Sequence, residues 1–453
     1  MAVWSAVKVS NLSPDIRWDA EHYKPEYLKQ AAAMAARKTS PLRDVATISD
    51  GNHFSIAEEF SDEGVRYLRG QDLSDFFISD ADPIYIPEKL YNSLARSHMH
   101  MGDVLVGIVG TIGSVGLVTE RHGKLTGNCK LAIVRAKTLP AEYIAAYLAS
   151  RVGQNEIQRR VRGAVQMGLI LPDLKEIPVV VPTQAQRDAV VKAVRGAQAA
   201  RKRATETIAS AETLLLSALG LDHLDLSPSR SYSRNFKDLL AEGRFDAEFF
   251  HPRSQAILKQ LRLSGVSIGD VAPLAERIFR PEQQKKGGTF RYIEIGSLTG
   301  VGEAESETID VAEAPSRAQF IVRPGDIITS TVRPIRRLSA LIRSDQDGCV
   351  CSSGFAVLSP HSGEGGIEPE VLLVYLRLPI VCEILDLYCT ASMYPAIPVD
   401  RLLKVPVVVP EKRVRTKVVE HVRAALSARQ EASRLLNEAK TIVEKAILGD
   451  LGS

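Results

Sequence analysis

The chain has 453 residues, 45% hydrophobic and 25% charged, which supplies apolar material for two domain-sized cores and excludes a disordered chain. Its net charge of +3 and pI near 8.5 are too mild to identify a nucleic-acid binder, and admit one only if basic residues cluster locally. No apolar run approaches the ~20 residues that cross a bilayer, the start MAVWSAVKVS lacks a signal-peptide layout, and Cys129, Cys349, Cys351, Cys382 and Cys389 are odd in number without CxxC spacing, so a soluble cytoplasmic chain without a zinc site is expected.

The first element is introduced by RWDAEHYKP at residues 17–25, and the same word returns as RFDAEFFHP at 244–252. Further words recur in the same order. VRYLRGQDL (65–73) answers FRYIEIGSL (290–298), MGDVLVGIVG (101–110) answers PGDIITSTVR (324–333), LAIVR (131–135) answers FAVLS (355–359), and IPVVVP (177–182) answers VPVVVP (405–410). Met167 likewise answers Met393. The offset holds near 226 residues, so the chain is a tandem duplication of whole domains, since solenoid units are typically ~20 to 50 residues.

Each copy opens with the RxDAExxxP word leading into a short helix such as Glu26 to Ala36. Short strands broken by Gly, Pro, Asn and Asp follow: VRYLRG, PIYIP, GDVLVGIVG, VGLV and KLAIVRA in copy one, FRYIEIG, IVRPGDIITSTV, LSALIR and GFAVLSP in copy two. AEYIAAYLASRVGQNEIQRRV and PEVLLVYLRLPIVCEILDLY then show helical spacing, and PVVVP closes each domain as a buried strand. Cys349 and Cys351 lie in a β-like stretch, where a small buried side chain is the expected role.

A heptad seam follows each PVVVP. Val190, Val194, Ala197, Arg201, Ala204, Ile208, Ala211, Leu215 and Ala218 step alternately by four and three, and Val418, Val422, Ala425, Arg429, Ala432, Leu436, Ala439, Val443 and Ala446 repeat the pattern. Such steps mark helices that pair as a coiled coil. Alanine lets them approach closely, and Gln184 to Leu219 spans ~54 Å at ~1.5 Å per residue. Arg201 and Arg429 either set the register or snorkel to the edge. The expected fold class is α+β: two tandem β-rich domains, each followed by a long helix, the helices pairing as an antiparallel coiled coil with pseudo-two-fold symmetry. The boundaries are 1–183 and 223–410 for the two domains, and 184–222 and 411–453 for the two helices.

The loops between strands differ while the framework repeats. GIVGTIGSVG (107–116) resembles a dinucleotide fingerprint only superficially, because it runs on into another strand, and its counterpart STVRPIRRLSA has no glycine. Loop tips with basic, amide and hydroxyl groups suit phosphate and base-edge contacts. The candidates are Arg69, Gln71, Thr111, Ser114, Lys124, Asn128, Lys130, Arg159, Arg160, Arg162 and Gln166 in copy one. In copy two they are Arg277, Arg280, Lys285, Lys286, Arg333, Arg336, Arg337, Ser352, Ser353 and Tyr394.

The duplication, the RxDAExxxP opening, the GD(I/V)(L/I) strand, the PxVVVP strand and the following heptad helix resemble, over essentially the whole chain, the specificity (S) subunit of type I restriction-modification systems. The resemblance implies two target recognition domains, each reading half of a split double-stranded DNA sequence across a coiled-coil spacer. It also implies two DNA adenine methyltransferase subunits as partners and a motor nuclease subunit that joins for cleavage. Base-reading residues form no fixed motif in that family, and copy two departs from the usual glycine-containing hairpin at Pro334 to Arg337.

No catalytic site, metal site or cofactor is expected in the chain itself. The (N/D)PP(Y/F) motif of adenine methyltransferases is absent, and Pro172, Asp173 and Lys175 give only a fragment of a nuclease cluster. Asp19, Glu21, Asp246 and Glu248 beside Arg17 and Arg244 suit capping and ion pairing rather than acid/base work. The alternative function is a non-catalytic scaffold or adaptor of a related defence system, with the rod spacing two partner-binding domains.

Overall fold

The structure, a computed structural model, describes residues 5–9, 12 and 17–449 apart from 75, 80–82, 120, 121, 164, 228, 286, 299, 300, 364, 391 and 392. Lys286 therefore lies outside the described residues. The chain is α+β and divides into two compact units, residues 1–201 with 430–453, and residues 202–429.

The repeated opening word is a clasp in both copies. Arg17 donates to both carboxylate oxygens of Asp19 at 2.8 and 2.7 Å and reaches the Val161 carbonyl at 3.2 Å. Arg244 does the same with Asp246, at 2.8 and 2.6 Å, and with the Leu387 carbonyl at 2.7 Å. Neither aspartate makes a side-chain cap hydrogen bond; the fork of arginine on carboxylate satisfies it instead. The terminal proline of each word becomes the first residue of a helix, Pro25–Ala35 and Pro252–Leu261, where its fixed φ and missing N–H cost nothing.

In copy one the main sheet has six strands in the spatial order Ala46–Asp50, Leu131–Ala136, Asp103–Gly107, Val115–Leu117, Phe76–Ile78, Leu73–Ser74. In copy two the corresponding strand Ile327–Ser330 lies between Ser339–Leu341 and Phe355–Leu358. The GD word explains how this strand starts. Gly102 and Gly325 take φ of +86° and +87°, a region open to glycine. The next residue then accepts from the N–H three back: Asp103 from His100 at 2.8 Å, Asp326 from Arg323 at 2.7 Å.

Each sheet packs against two buried helices where a single helical segment was expected from spacing. Ala141–Ala149 and Arg151–Gln158 are separated by Ser150, whose hydroxyl accepts from the Gly153 N–H. Pro369–Arg377 and Pro379–Leu387 break before Pro379, which has no N–H to continue the ladder. Tyr147 and Tyr375 donate to the carbonyls of Pro178 and Pro406, fixing these helices to PVVVP. The first PVVVP forms strand Pro178–Val180, paired with Thr39–Pro41. The second is extended and largely buried, with a Ser267–Pro406 bridge and backbone bonds of 2.9 Å from Val407 N–H to Val266 O and from Ile268 N–H to Val405 O.

The long helices are Gln184–Ala218 and Lys412–Leu448. Within the first unit, Val190, Val194 and Ala197 share a core with Ala432, Leu436, Ala439 and Val443. Within the second, Ala204, Ile208, Ala211 and Leu215 share a core with Val418, Val422 and Ala425. The first half of one helix thus pairs with the last half of the other, which is antiparallel pairing. A Cβ built on Gly196 would sit 3.1 Å from a Leu435 methyl, a measure of how closely the helices approach. The last seam step differs from expectation in both helices. Ala218 is exposed and Ala446 half-buried, while Leu219 and Ile447 are 1% exposed. At 3.6 residues per turn a straight helix drifts off a 3.5 repeat, and a step of four restores the stripe.

Arg201 and Arg429 both leave the seam for the globular part of their own unit, Arg201 over the Phe77 ring and Arg429 toward Glu303. No helix among the described residues is long and apolar enough to cross a membrane.

Candidate nucleic-acid interface

In each copy two loops are welded together at the end of the central strand. In copy one, Arg162 and Gly168 exchange N–H to carbonyl bonds of 2.8 Å, closing a tight loop, and Gly168 bridges to Val109 just past Asp103–Gly107. In copy two, Thr390 and Ala396 exchange bonds of 2.8 and 3.2 Å, and Ala396 bridges to Val332 just past Ile327–Ser330. Arg333 N–H adds a 2.8 Å bond to Pro395 O. The clasp carbonyls of Val161 and Leu387 precede these closed loops, so the repeated word anchors their bases.

The two similarly closed loops carry different side chains. The 162–168 loop exposes Val165, Gln166 and Met167, and the 390–396 loop exposes Met393 (77%) and Tyr394 (68%). Neighbouring large apolar side chains presented to solvent suit a contact surface. In the partner loop of copy one, Gly110 and Gly113 take φ of +80° and +89°; at the corresponding places of copy two stand Arg333 and Arg337, with φ of +50° and +60°. The glycine-free hairpin therefore keeps the glycine backbone, with two L-residues in the left-handed region.

Several candidate side chains are internal braces. Arg69 forks onto Asp72 at 3.1 and 3.0 Å. Arg159 and Arg160 pair with the buried Glu156. Arg162 forks onto Asp173, at 2.7 Å for Nη2, which also accounts for the carboxylate that stood out as a nuclease fragment. Arg277 pairs with Asp326 and donates to Ile321 O at 3.1 Å. Arg337 donates to the Arg377 carbonyl at 2.6 Å and pairs with Glu212 at 2.5 Å. Ser352 is 2% exposed, so it does not reach the surface.

Lys124 is exposed and pairs with Glu88, whose hydrogen bond holds its ammonium above the usual lysine range. Thr111 and Ser114 stabilise their own loop, Ser114 donating to Thr111 O at 2.8 Å. Asn128 accepts from the Lys130 N–H at 3.2 Å. Gln71, Lys130, Gln166, Arg280, Lys285, Arg336, Ser353 and Tyr394 are exposed, and Arg333 is half-buried with its guanidinium 5.4 Å from the Tyr394 ring centroid.

Sequence reasoning missed Glu212 and Arg377, the partners of Arg337, and the exposed Val165 and Met393. The signal for the first pair is the comparison between copies. Where the second unit has Arg337, Arg377 and Glu212, the first has Gly113, Ala149 and Lys440, and these line an open cleft of about 420 Å³ with Phe76, Gln154 and Asn437. The two arginines occupy space that glycine and alanine leave empty.

Among the described residues no group of three or more His, Cys, Asp or Glu could hold a metal ion. Cys349 and Cys351 are buried, and burial pushes the Cys351 thiol up to about 12, far from a reactive thiolate.

No protein-family profile and no curated protein matches the chain. Among solved structures it is similar to the S subunit of a Type-I restriction-modification system from M. genitalium, with 14% identity and a TM-score of 0.40 over 90% of this chain and 96% of that one. It is similar to the HsdS subunit from Thermoanaerobacter tengcongensis, with 14% identity and a TM-score of 0.30 over 91% and 97%. It is also similar to a chain from a structure of complex assembly and conformational transition in the type I R-M system, with 16% identity and a TM-score of 0.30 over 91% and 98%.

Proposed function

We propose that the chain is the non-catalytic DNA sequence-recognition subunit of a type I restriction-modification complex. It would bind a bipartite target and position two adenine methyltransferase subunits, with a motor nuclease subunit joining for cleavage. The observation that carries this reading is the twice-built loop pair: one frame, clasped by the same Arg–Asp fork, presents Val165, Gln166 and Met167 in one copy and Arg333, Met393 and Tyr394 in the other. A duplicated frame with divergent tips suits the reading of two unlike half-sites, because base-edge contacts need different donors and acceptors on a common backbone. The paired helices of 35 and 37 residues suit a spacer between the readers.

The test is to co-express the chain with an adenine methyltransferase subunit of such a system from the same genome and map methylated adenines in host DNA. A split motif with methyladenine in both halves is expected. An intact complex that leaves host DNA unmodified would favour a scaffold whose loops hold proteins rather than bases.

A further inference from the structure

Arg333 occupies a backbone position that costs a side chain. Its φ of +50° and ψ of +63° lie in the left-handed region, where glycine sits comfortably and an arginine does not. Copy one puts Gly110 there, at φ +80°, so the frame itself does not require a side chain. The bond from Arg333 N–H to Pro395 O holds the conformation. Strain kept in a frame that has a strain-free alternative points to a use for the side chain.

Arg337 shares the conformation, with φ of +60°, and its use is visible: it fills space beside Arg377 and pairs with Glu212. Arg333 has no such internal use. Among the described residues its guanidinium makes no side-chain hydrogen bond or ion pair, and its ring contact is with the exposed Tyr394. A guanidinium lying against an aromatic ring loses rotamer freedom before any ligand arrives, while its in-plane N–H fork stays available.

We propose that Arg333, held against Tyr394, is the residue that reads a guanine in the half-site recognised by copy two. The fork presents two parallel donors, matching the N7 and O6 acceptors on the major-groove edge of guanine, whereas adenine offers a donor in place of O6. This inference rests on the proposed DNA-recognition function.

The full chain, assembled with its methyltransferase, is compared with its Arg333→Gly and Arg333→Gln variants by sequencing methylated adenines and by thermal melting. Wild type is expected to methylate a split motif with a guanine in the second half. Arg333→Gly is expected to melt no lower than wild type, because the backbone position favours glycine, and to lose roughly ten- to hundredfold preference for that one guanine, with the other half-site unchanged. Arg333→Gln keeps a side chain in the same strained conformation and is expected to lose the guanine as well, which separates reading from relief of strain. A second half-site without guanine, or either variant retaining full preference for it, overturns the assignment while leaving DNA recognition standing. A wild-type complex that methylates no split motif removes both together.

Discussion

Arg201 lays its guanidinium 4.9 Å from the ring centroid of Phe77. At the corresponding place in the second copy, Arg429 reaches Glu303, 3.4 Å away, in a site where Glu303 is 8% exposed and also faces Arg343 at 3.6 Å. The same helix position thus docks on a ring in one unit and on a carboxylate in the other. Arg201→Met should cost under about 1 kcal/mol, because a methionine stem keeps most of the packing. Arg429→Met should cost roughly 1–3 kcal/mol, because it takes a partner from a buried carboxylate. Denaturant unfolding of each variant gives the comparison, and the reverse order would show that the two arginines do not act through these partners.

The clasp makes a prediction about acid. The hydrogen bond from Arg244 holds the Asp246 carboxyl below the usual aspartate range. A carboxyl whose folded pKa is depressed stabilises the fold above its unfolded pKa, and that contribution fades as pH falls through the folded value. Asp246→Asn should therefore be less stable than wild type at neutral pH, and the gap should close below about pH 4. With the Asp246 side chain 39% exposed, the gap should be small. Melting curves from pH 7 to pH 3 would refute the clasp's ionic character if the gap were constant.

The shifted end of the seam can be tested by two neighbouring substitutions. Leu219→Ala removes a side chain that is 1% exposed and should cost about 2–5 kcal/mol. Ala218→Gln touches an exposed position and should stay within about 0.5 kcal/mol. Equal costs would mean that the stripe keeps its step of three.

If the helices are a spacer, a heptad inserted after Arg201 and another after Arg429 should lengthen the preferred gap between half-sites by ~3 bp, from ~1.5 Å per residue and ~3.4 Å per base pair. Methylation mapping of the doubly extended chain reads the gap directly, and an unchanged gap would refute the spacer.

The parts legible in the sequence were those written twice in register. The RxDAExxxP word marked the clasp, GD(I/V)(L/I) marked a strand, and the seam marked the paired helices, because backbone geometry and burial constrain residue type at each of those positions. Arginine surface roles were not legible. Arg162 finds Asp173 eleven residues on, but Arg277 finds Asp326 and Arg337 finds Glu212 from distant segments, and residue type does not reveal which arginine has a carboxylate waiting. Ala218 and Ala446 were misplaced for a subtler reason: a strict heptad is indistinguishable from a drifting helix until the last turn adds a bulkier neighbour. The placement of Arg333 on a glycine backbone was latent in the repeat, since aligning the copies sets it against Gly110.

The crossed pairing of the helices has a consequence for the order in which the molecule is completed. Residues 430–453 belong to the same compact unit as residues 1–201. Ala432, Leu436, Ala439, Val443 and Ile447 supply part of that unit's core. A ribosome emits the first β-rich domain long before the segment that covers its helix. For most of synthesis, the apolar stripe at Val190, Val194 and Ala197 lacks the part of its core that Ala432, Leu436, Ala439 and Val443 supply. The second unit, continuous from 202 to 429, can close first, and the unit begun earliest is the one finished last.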